Sequence, residues 1–272
     1  MSSLDIDGPA HRVLLSRRIL VIAHRGFSRV APENTAPAFD LAVATGADLV
    51  EFDVRSSRDG DLIVIHDQEL DRTTDAKRIW RRRHNRVDGK SVSELRALDA
   101  GTWFHRMFAG VKIPLLLEAL AIIRKTSVPL IECKAGRAAA YLAFLRENDL
   151  IDKVIVQSFD WDFLRTLHEA EPRMVLGALG PGRLLAGGKK PLGISRKLNA
   201  AWLNQVEKSG ARIAVWNRKV SKGAVRLAHE RGLKVWVYTI NDGRLARHLA
   251  GAGVDGLITN DPILMRKAIR GC

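Results

Sequence analysis

The feature that most constrains the fold of this chain is an eightfold alternation of short apolar segments with amphipathic segments. The apolar runs are rich in β-branched residues and only three to seven residues long, which predicts buried strands. They occupy residues 19–23, 48–54, 128–133, 154–157, 174–178, 212–215, 234–238 and 256–258. Helical patterns follow them at residues 35–45, 115–124, 138–148, 162–170, 196–209, 221–231, 244–250 and 262–269. Eight strands that are each followed by a helix predict an α/β protein with a (β/α)8 TIM-type barrel.

The alternative architecture is a doubly wound open sheet, which would carry a glycine-rich phosphate turn after its first strand. That position reads His24-Arg25-Gly26 instead, which favours the barrel. The even spacing is broken after the second strand, where residues 67–112 contain no clean strand–helix unit. We therefore expect a single domain over residues 1–272, with a small cap-like insertion at about 67–112, because an insertion of this length is usually functional.

Three acidic side chains are placed by the pattern at the carboxyl ends of strands, where barrel enzymes build their sites. Glu51 and Asp53 are two residues apart in one strand, so both point to the same face. Glu132 occupies the matching place in the third predicted strand. A salt-bridge network would explain one such pair, but three buried carboxylates together favour a hard divalent cation, Mg²⁺ or Ca²⁺.

Two of the eight histidines, His24 and His66, also end apolar runs next to charged residues. Two imidazoles beside a metal-bound phosphodiester would supply an acid and a base near neutral pH. The other six histidines fall in predicted helices or polar loops, where an ordinary surface or core role is the better interpretation. Further polar or aromatic side chains end other predicted strands, namely Arg25, Lys134, Gln157, Trp236 and Tyr238.

The composition favours an anionic partner without choosing one. The formal net charge is +14, and the densest basic run, residues 81–86, is interpreted as a solvated loop because no nucleic-acid-binding module accompanies it. The two cysteines, Cys133 and Cys272, do not indicate a disulfide framework. No segment reaches the roughly 20 apolar residues of a membrane span, and residues 1–18 lack a signal-peptide core. We expect a cytoplasmic protein without stable membrane insertion and without a nucleic-acid partner.

In its motifs the sequence resembles the glycerophosphodiester phosphodiesterase family. The similarity runs from about residue 20 to residue 262 and keeps the order of the motifs. They are His24-Arg25-Gly26, Pro32-Glu33-Asn34-Thr35, Gly46-Ala47-Asp48, Glu51-Phe52-Asp53-Val54, Asp59-Gly60, His66-Asp67, Asp71-Arg72-Thr73-Thr74, Ile131-Glu132-Cys133-Lys134, Gln157-Ser158-Phe159, Tyr238-Thr239-Ile240-Asn241, Gly253-Val254-Asp255-Gly256 and Thr259-Asn260-Asp261-Pro262.

The resemblance implies a role for each matching residue. It implies that the cation is held by Glu51, Asp53 and Glu132, and that His24 and His66 act as base and acid. It places Arg25 and Lys134 on the phosphate, Glu33 and Asn34 in the first loop as orienting residues, and Gln157 and Tyr238 on the substrate side, where Trp236 is also a candidate. Tyr238 stands where many members carry Trp, and Ser57 stands where Thr is frequent. Neither position has a metal or acid/base role, so these departures affect only the substrate preference that the resemblance implies.

The activity implied is metal-dependent hydrolysis of glycerophosphodiesters to an alcohol and glycerol 3-phosphate, through a cyclic phosphate intermediate. Two alternatives stay open: a lysophospholipase D-like activity on lipid phosphodiesters, and a non-catalytic basic barrel that only binds. The sequence does not predict the alcohol head group or the oligomeric state.

Overall fold

The computed structural model describes residues 8–191 and 195–271. Residues 1–7 and Cys272 lie outside this range, and part of the cytoplasmic prediction rests on that N-terminal segment. The chain divides into two compact units. One comprises residues 23–136 with 260–262, here called the carboxylate unit, and the other comprises the remaining described residues, here called the cavity unit.

The carboxylate unit contains the first predicted strands and the insertion. Its elements include the end of β1 (Leu20–His24), followed by α2 (Ala36–Ala44), β2 (Leu49–Ser56), β3 (Leu62–Val64), α3 (Ala76–Trp80), α4 (Val92–Ala97), α5 (Leu116–Ile123) and β4 (Val128–Cys133). Single-turn 3-10 helices occur at Val87–Gly89 and Arg106–Phe108. Phe52 points away from its acidic neighbours and packs on Phe39 of α2, with ring centroids 5.6 Å apart.

Strand β3 is an addition to the predicted pattern. It pairs antiparallel with β2, with Val54 opposite Val64, whereas β2 and β4 are parallel. The sequence shows only a short apolar run here, and its three residues are too few for periodicity to reveal a strand. The insertion that follows packs its own apolar side chains, among them Leu70, Val87 and Leu95, against Ile63 and Ile65.

The cavity unit carries the remaining strand–helix repeats. It begins with α1 (Pro9–Leu14), which the sequence analysis did not predict, and continues with α6 (Ala138–Glu147), β5 (Ile155–Ser158), α7 (Trp161–Ala170), β6 (Val175–Gly180), α8 (Ala200–Lys208), β7 (Ile213–Asn217), α9 (Lys222–Glu230), β8 (Lys234–Tyr238), α10 (Gly243–Gly251), β9 (Gly256–Thr259) and α11 (Pro262–Ala268), whose first residue belongs to the carboxylate unit.

The core of this unit includes three tryptophans, Trp161, Trp202 and Trp216, with ring centroids 5.3–6.3 Å apart. The end of β6 passes so close to them that a Cβ on Gly180 would lie 1.8 Å from the Trp216 ring. Only glycine permits this approach.

The strand order is β1-β9-β8-β7-β6-β5-β4-β2-β3, with a further pairing of β1 with β2. With the hairpin strand β3 set aside, the described residues form eight strands, each followed by a helix, which is the topology of a (β/α)8 barrel. The predicted fold class is confirmed. The single-domain prediction and the cap-like role of the insertion stay predictions.

Candidate active site

Three buried carboxylates form the centre of the candidate site. Glu51 and Asp53 lie on the same face of β2, and the parallel register places Asp53 opposite Glu132 of β4. Each of the three is at most 7% exposed, and one carboxylate oxygen from each lies within 4.8 Å of the others. The period of two along β2 and the pairing of adjacent parallel strands therefore bring together the three residues predicted to bind metal.

The pKa values of these carboxyl groups diverge because they share a buried space. Burial, followed by repulsion from Asp53, raises the pKa of Glu51 well above its usual value and that of Glu132 to about 7. Burial also disfavours the charged form of Asp53, but Lys134 and Arg25 outweigh it and hold the pKa of Asp53 below its usual range. A buried cluster of three hard carboxylate oxygens fits a divalent metal ion.

Two basic side chains border the cluster. Lys134 Nζ lies 3.1 Å from Asp53 Oδ1 and also forms an ion pair with Glu132. Arg25 Nε is 3.2 Å from Asp53 Oδ2, and its backbone N–H donates to Glu51. The charge of the carboxylates raises the pKa of the Lys134 ammonium against the opposing effect of burial, so the side chain stays protonated.

The first loop holds Arg25 and Asn34 in left-handed backbone conformations, with φ of 58° and 59°. Non-glycine residues seldom adopt this conformation, and such strain concentrates at functional sites. Asn34, which is 3% exposed, donates from Nδ2 to Asp53 Oδ2 and accepts from the Asp53 backbone N–H, so it fixes that carboxylate in two ways. Gly26 is required beside them because a Cβ there would lie 2.6 Å from the Ala38 backbone.

Each of the two predicted histidines has an oxygen partner at Nδ1. His24 Nδ1–H donates to Asn260 Oδ1 at 2.6 Å, and His66 Nδ1–H donates to Asp67 Oδ1 at 2.6 Å. Both arrangements leave Nε2 available for proton transfer. Burial lowers the pKa of His24 to about 4. Burial also lowers the pKa of His66, although the negative charge of Asp53 and the hydrogen bond to Asp67 partly raise it.

An ion-pair network links His66 to the first loop through Asp67, Arg72 and Glu33, of which only Glu33 was predicted to have a role. Arg72 donates from Nε to Asp67 and from both terminal nitrogens to Glu33, at 2.5–2.9 Å. Glu33 also accepts from Arg25 at 2.7 Å. Asp67, Arg72 and Asn260 all lie within the motifs quoted above, so their motif positions were the signal that could have identified them.

The remaining predicted site residues belong to the cavity unit. Tyr238 ends β8, donates from its hydroxyl to the Gly180 carbonyl oxygen and contacts the Phe159 ring. Gln157 and Trp236 are each 1% exposed. The indole of Trp236 packs on Gly256, and its Nε1 has no hydrogen-bond partner among the described residues.

Comparison with known proteins identifies the family. The sequence matches the glycerophosphoryl diester phosphodiesterase family profile over residues 24–264, which include the carboxylates and both histidines. This chain belongs to that family. A glycerophosphodiester phosphodiesterase of Caldanaerobacter subterraneus is 31% identical over 93% of this chain and 98% of its own length. The predictions of the family and of an enzyme of the glycerophosphodiester phosphodiesterase type are confirmed.

Two solved structures of similar proteins share the fold. A phosphodiesterase of Oleispira antarctica, in complex with the product sn-glycerol-3-phosphate, is 28% identical with a TM-score of 0.79, and the match covers 95% of this chain and 99% of that one. A glycerophosphodiester phosphodiesterase of Agrobacterium tumefaciens is 29% identical with a TM-score of 0.74, over 92% and 99% of the two chains. Among the described residues of this family member, no helix is long and apolar enough to span a membrane.

Proposed function

We propose that this protein hydrolyses glycerophosphodiesters to an alcohol and glycerol 3-phosphate, and that the reaction depends on a divalent cation. The observation that carries the proposal is the buried group of three carboxylates, bordered by two cationic side chains, in a chain that also presents two oriented histidines. The product bound to the Oleispira relative supports glycerol 3-phosphate as the shared product class.

The cation would be held by Glu51, Asp53 and Glu132. Mg²⁺ and Ca²⁺ are the candidates because all three donors are hard carboxylate oxygens. When bound, such an ion stabilises negative charge on phosphoryl oxygens as a Lewis acid. Arg25 and Lys134, which pair with Asp53, would contribute positive charge to the same oxygens.

His24 is the proposed base in the first step. Because the amide oxygen of Asn260 only accepts, it keeps the proton of His24 on Nδ1, and the low pKa leaves Nε2 unprotonated at neutral pH. This nitrogen would remove the proton from the glycerol hydroxyl as that oxygen attacks phosphorus. His66 would be the acid that protonates the departing alcohol oxygen, because the Asp67 carboxylate at its Nδ1 favours the imidazolium and opposes the lowering of its pKa by burial.

The second step reverses these roles. The first step forms a cyclic phosphodiester and breaks the bond between phosphorus and the alcohol oxygen. His66, now neutral, would take a proton from water as the water oxygen attacks phosphorus. The bond that the first step formed between phosphorus and the glycerol oxygen would break, and His24, now protonated, would return its proton to that oxygen. This releases glycerol 3-phosphate and restores both histidines.

The experiment that tests the proposal measures metal affinity and turnover together. Glu51→Gln, Asp53→Asn and Glu132→Gln should each weaken Mg²⁺ or Ca²⁺ binding in calorimetric titrations and reduce glycerol 3-phosphate release, with the circular dichroism spectrum unchanged. Asp88→Asn, at an exposed position paired with Arg86, is the matched control and should change neither. Full turnover of all three variants after chelator treatment would show that the metal assignment is wrong.

A second candidate function is hydrolysis of lysophospholipids. It is favoured by exposed apolar side chains on the insertion, where Met107 is 74% exposed and Trp103 is 38% exposed. A panel of glycerophosphocholine, glycerophosphoethanolamine and the corresponding lysophospholipids distinguishes the two functions by their relative kcat/KM values.

A further inference from the structure

The insertion carries a short basic segment that the proposed function does not use. Residues 77–83, here called the basic turn, contain five cationic residues and no acidic residue. The segment begins in α3 and continues past Arg81, which ends that helix in a left-handed backbone conformation with φ of 51°. All five cationic residues are exposed. Charges of one sign at this density create a strong positive potential at the surface.

Most of these cations lack the carboxylate partners that the flanking arginines have. Arg78 pairs with Asp75, and Arg86, just outside the basic turn, pairs with Asp88. Four cations form no ion pair with any residue that the structure describes, namely Lys77, Arg81, Arg82 and Arg83. The uncompensated positive charge is therefore concentrated on the basic turn itself, where it attracts an anionic partner.

The buried side chain of Asn85 fixes the shape of the basic turn. Asn85 Nδ2 donates to Asp71 Oδ1 at 2.7 Å and to the Arg82 carbonyl oxygen at 2.9 Å, and Asn85 Oδ1 accepts from Arg82 Nε at 3.0 Å. The Asn85 carbonyl oxygen accepts from the Leu70 backbone N–H at 2.8 Å. The backbone from which the cations project is therefore held in place before any partner binds, which lowers the entropic cost of binding.

Exposed apolar side chains accompany these cations. Ile79, in the middle of the basic turn, is 50% exposed. Residues 102–109, here called the aromatic loop, expose Trp103 and Met107, and Phe104 packs edge-on against Trp103 with ring centroids 5.7 Å apart. Cations beside exposed apolar and indole groups are the composition of a surface that lies in the headgroup region of a bilayer.

The basic turn and the aromatic loop are anchored at one junction inside the insertion. The Asp75 backbone N–H, at the start of α3, donates to the Asp99 carbonyl oxygen at 3.1 Å, and Asp75 Oδ1 accepts from the Asp99 backbone N–H at 2.9 Å. The Asp99 carboxylate also accepts from backbone N–H groups at both ends of the aromatic loop, those of Gly101, Thr102 and Gly110. The cations and the apolar side chains therefore project from one part of the carboxylate unit.

We propose that this part of the insertion docks the protein reversibly on an anionic lipid surface. The cations of the basic turn lie against lipid phosphates, and Ile79, Trp103 and Met107 enter the headgroup region. A nucleic acid fits less well because the side chains of Ile79 and Met107 offer no stacking surface for bases. The proposal goes beyond hydrolysis and gives a partner to the basic run, which the sequence alone interpreted as a solvated loop.

The test measures binding of the full chain to lipid vesicles by cosedimentation. Wild type should bind phosphatidylcholine vesicles that contain about 30% phosphatidylglycerol about tenfold or more tightly than vesicles of phosphatidylcholine alone. Binding should weaken as NaCl is raised from about 0.05 to about 0.5 M. Arg81→Gln with Arg83→Gln should weaken it about tenfold or more, because each cation near an anionic surface contributes about fivefold. Ile79→Ser with Met107→Ser should weaken it about fivefold while keeping the salt dependence.

The matched control is Lys208→Gln with Arg247→Gln, which removes the same charge from exposed helical positions of the cavity unit. It should bind as wild type does, and circular dichroism verifies the fold of each variant. Lys77→Gln, with about fivefold weaker binding expected, replaces the arginine double variant if that protein does not fold.

The vesicles contain no glycerophosphodiester, so the result is independent of the proposed hydrolysis. Equal binding to both kinds of vesicle, no binding to either, or an equal loss in the control would overturn the inference. Tighter binding to a DNA duplex than to the anionic vesicles, unaffected by Ile79→Ser with Met107→Ser, would also overturn it and indicate a nucleic-acid partner.

Discussion

Arg72 offers the sharpest test of how the site is organised. Its guanidinium makes three hydrogen bonds to two carboxylates, one to Asp67 and two to Glu33, and Asp67 in turn orients His66. Arg72 is 46% exposed, so water can replace much of this network, and its loss should destabilise the protein by only about 1 kcal/mol. We expect a larger effect on catalysis because Asp67 loses the partner that fixes its orientation.

Arg72→Gln should lower kcat by about tenfold, equivalent to about 1.4 kcal/mol of activation free energy, with a smaller change in KM. Arg72→Lys keeps the charge but has no planar fork to bridge Asp67 and Glu33, so it should recover only part of the loss. The assay is steady-state release of glycerol 3-phosphate, combined with thermal unfolding.

The control for Arg72 is Arg86→Gln, which removes an exposed arginine of the insertion that makes two hydrogen bonds to Asp88. It should leave kcat unchanged. A kcat within twofold of wild type in Arg72→Gln, or full recovery in Arg72→Lys, would refute the argument that the bridging geometry positions His66.

The remaining predictions concern the histidines and the insertion. His24→Ala and His66→Ala should each lose at least about 10²-fold in kcat, and a bell-shaped pH profile that survives in either variant would remove that residue from the mechanism. Asp99→Asn should lower the free energy of unfolding by about 1–3 kcal/mol, because the Asp99 carboxylate accepts hydrogen bonds from three backbone N–H groups and one hydroxyl. These hydrogen bonds outweigh the effect of burial and hold the pKa of Asp99 well below its usual range. This stabilisation is present above the unfolded-state pKa and is lost as the pH falls through the folded-state pKa, so thermal unfolding curves of variant and wild type should converge in acid. Replacing residues 102–109 by a Gly/Ser loop should shift preference towards lysophospholipids if the insertion is a cap that narrows access, and should lower lysophospholipid turnover if Trp103 and Met107 bind the acyl chain instead. Unchanged kinetics on both substrate classes would contradict both roles.

The strands and the central carboxylates were predictable because local rules place them. The period of two fixes Glu51 and Asp53 on one face, and the parallel pairing of β2 with β4 then places Glu132 beside Asp53. The pattern also placed His24 and His66 at the ends of apolar runs. It did not show that the short run before His66 contains β3, which pairs antiparallel with β2.

The His24–Asn260 and Arg72–Glu33 contacts could not be predicted from periodicity because they depend on long-range geometry, and only the motif positions of these residues gave a signal. Asn260 is 236 residues from His24 in the sequence, and the Arg72–Glu33 contact joins residues 39 apart. No periodicity relates such positions. An asparagine before an aspartate–proline pair is an ordinary helix start, and an arginine in a polar loop is an ordinary surface residue, until the fold brings each to a partner.

Charge balance connects these observations. Five carboxylates of the carboxylate unit take part in the connected network: Glu33, Glu51, Asp53, Asp67 and Glu132. Arg25, Lys134 and Arg72 form ion pairs with them, and Arg55 interacts electrostatically with Asp53, Asp67 and Glu132. Burial and repulsion from Asp53 still raise the pKa values of Glu51 and Glu132, so the charges of these two carboxyl groups are the least well compensated. A divalent cation bound between them would stabilise their ionised forms and leave Arg25 and Lys134 free to act on a phosphodiester.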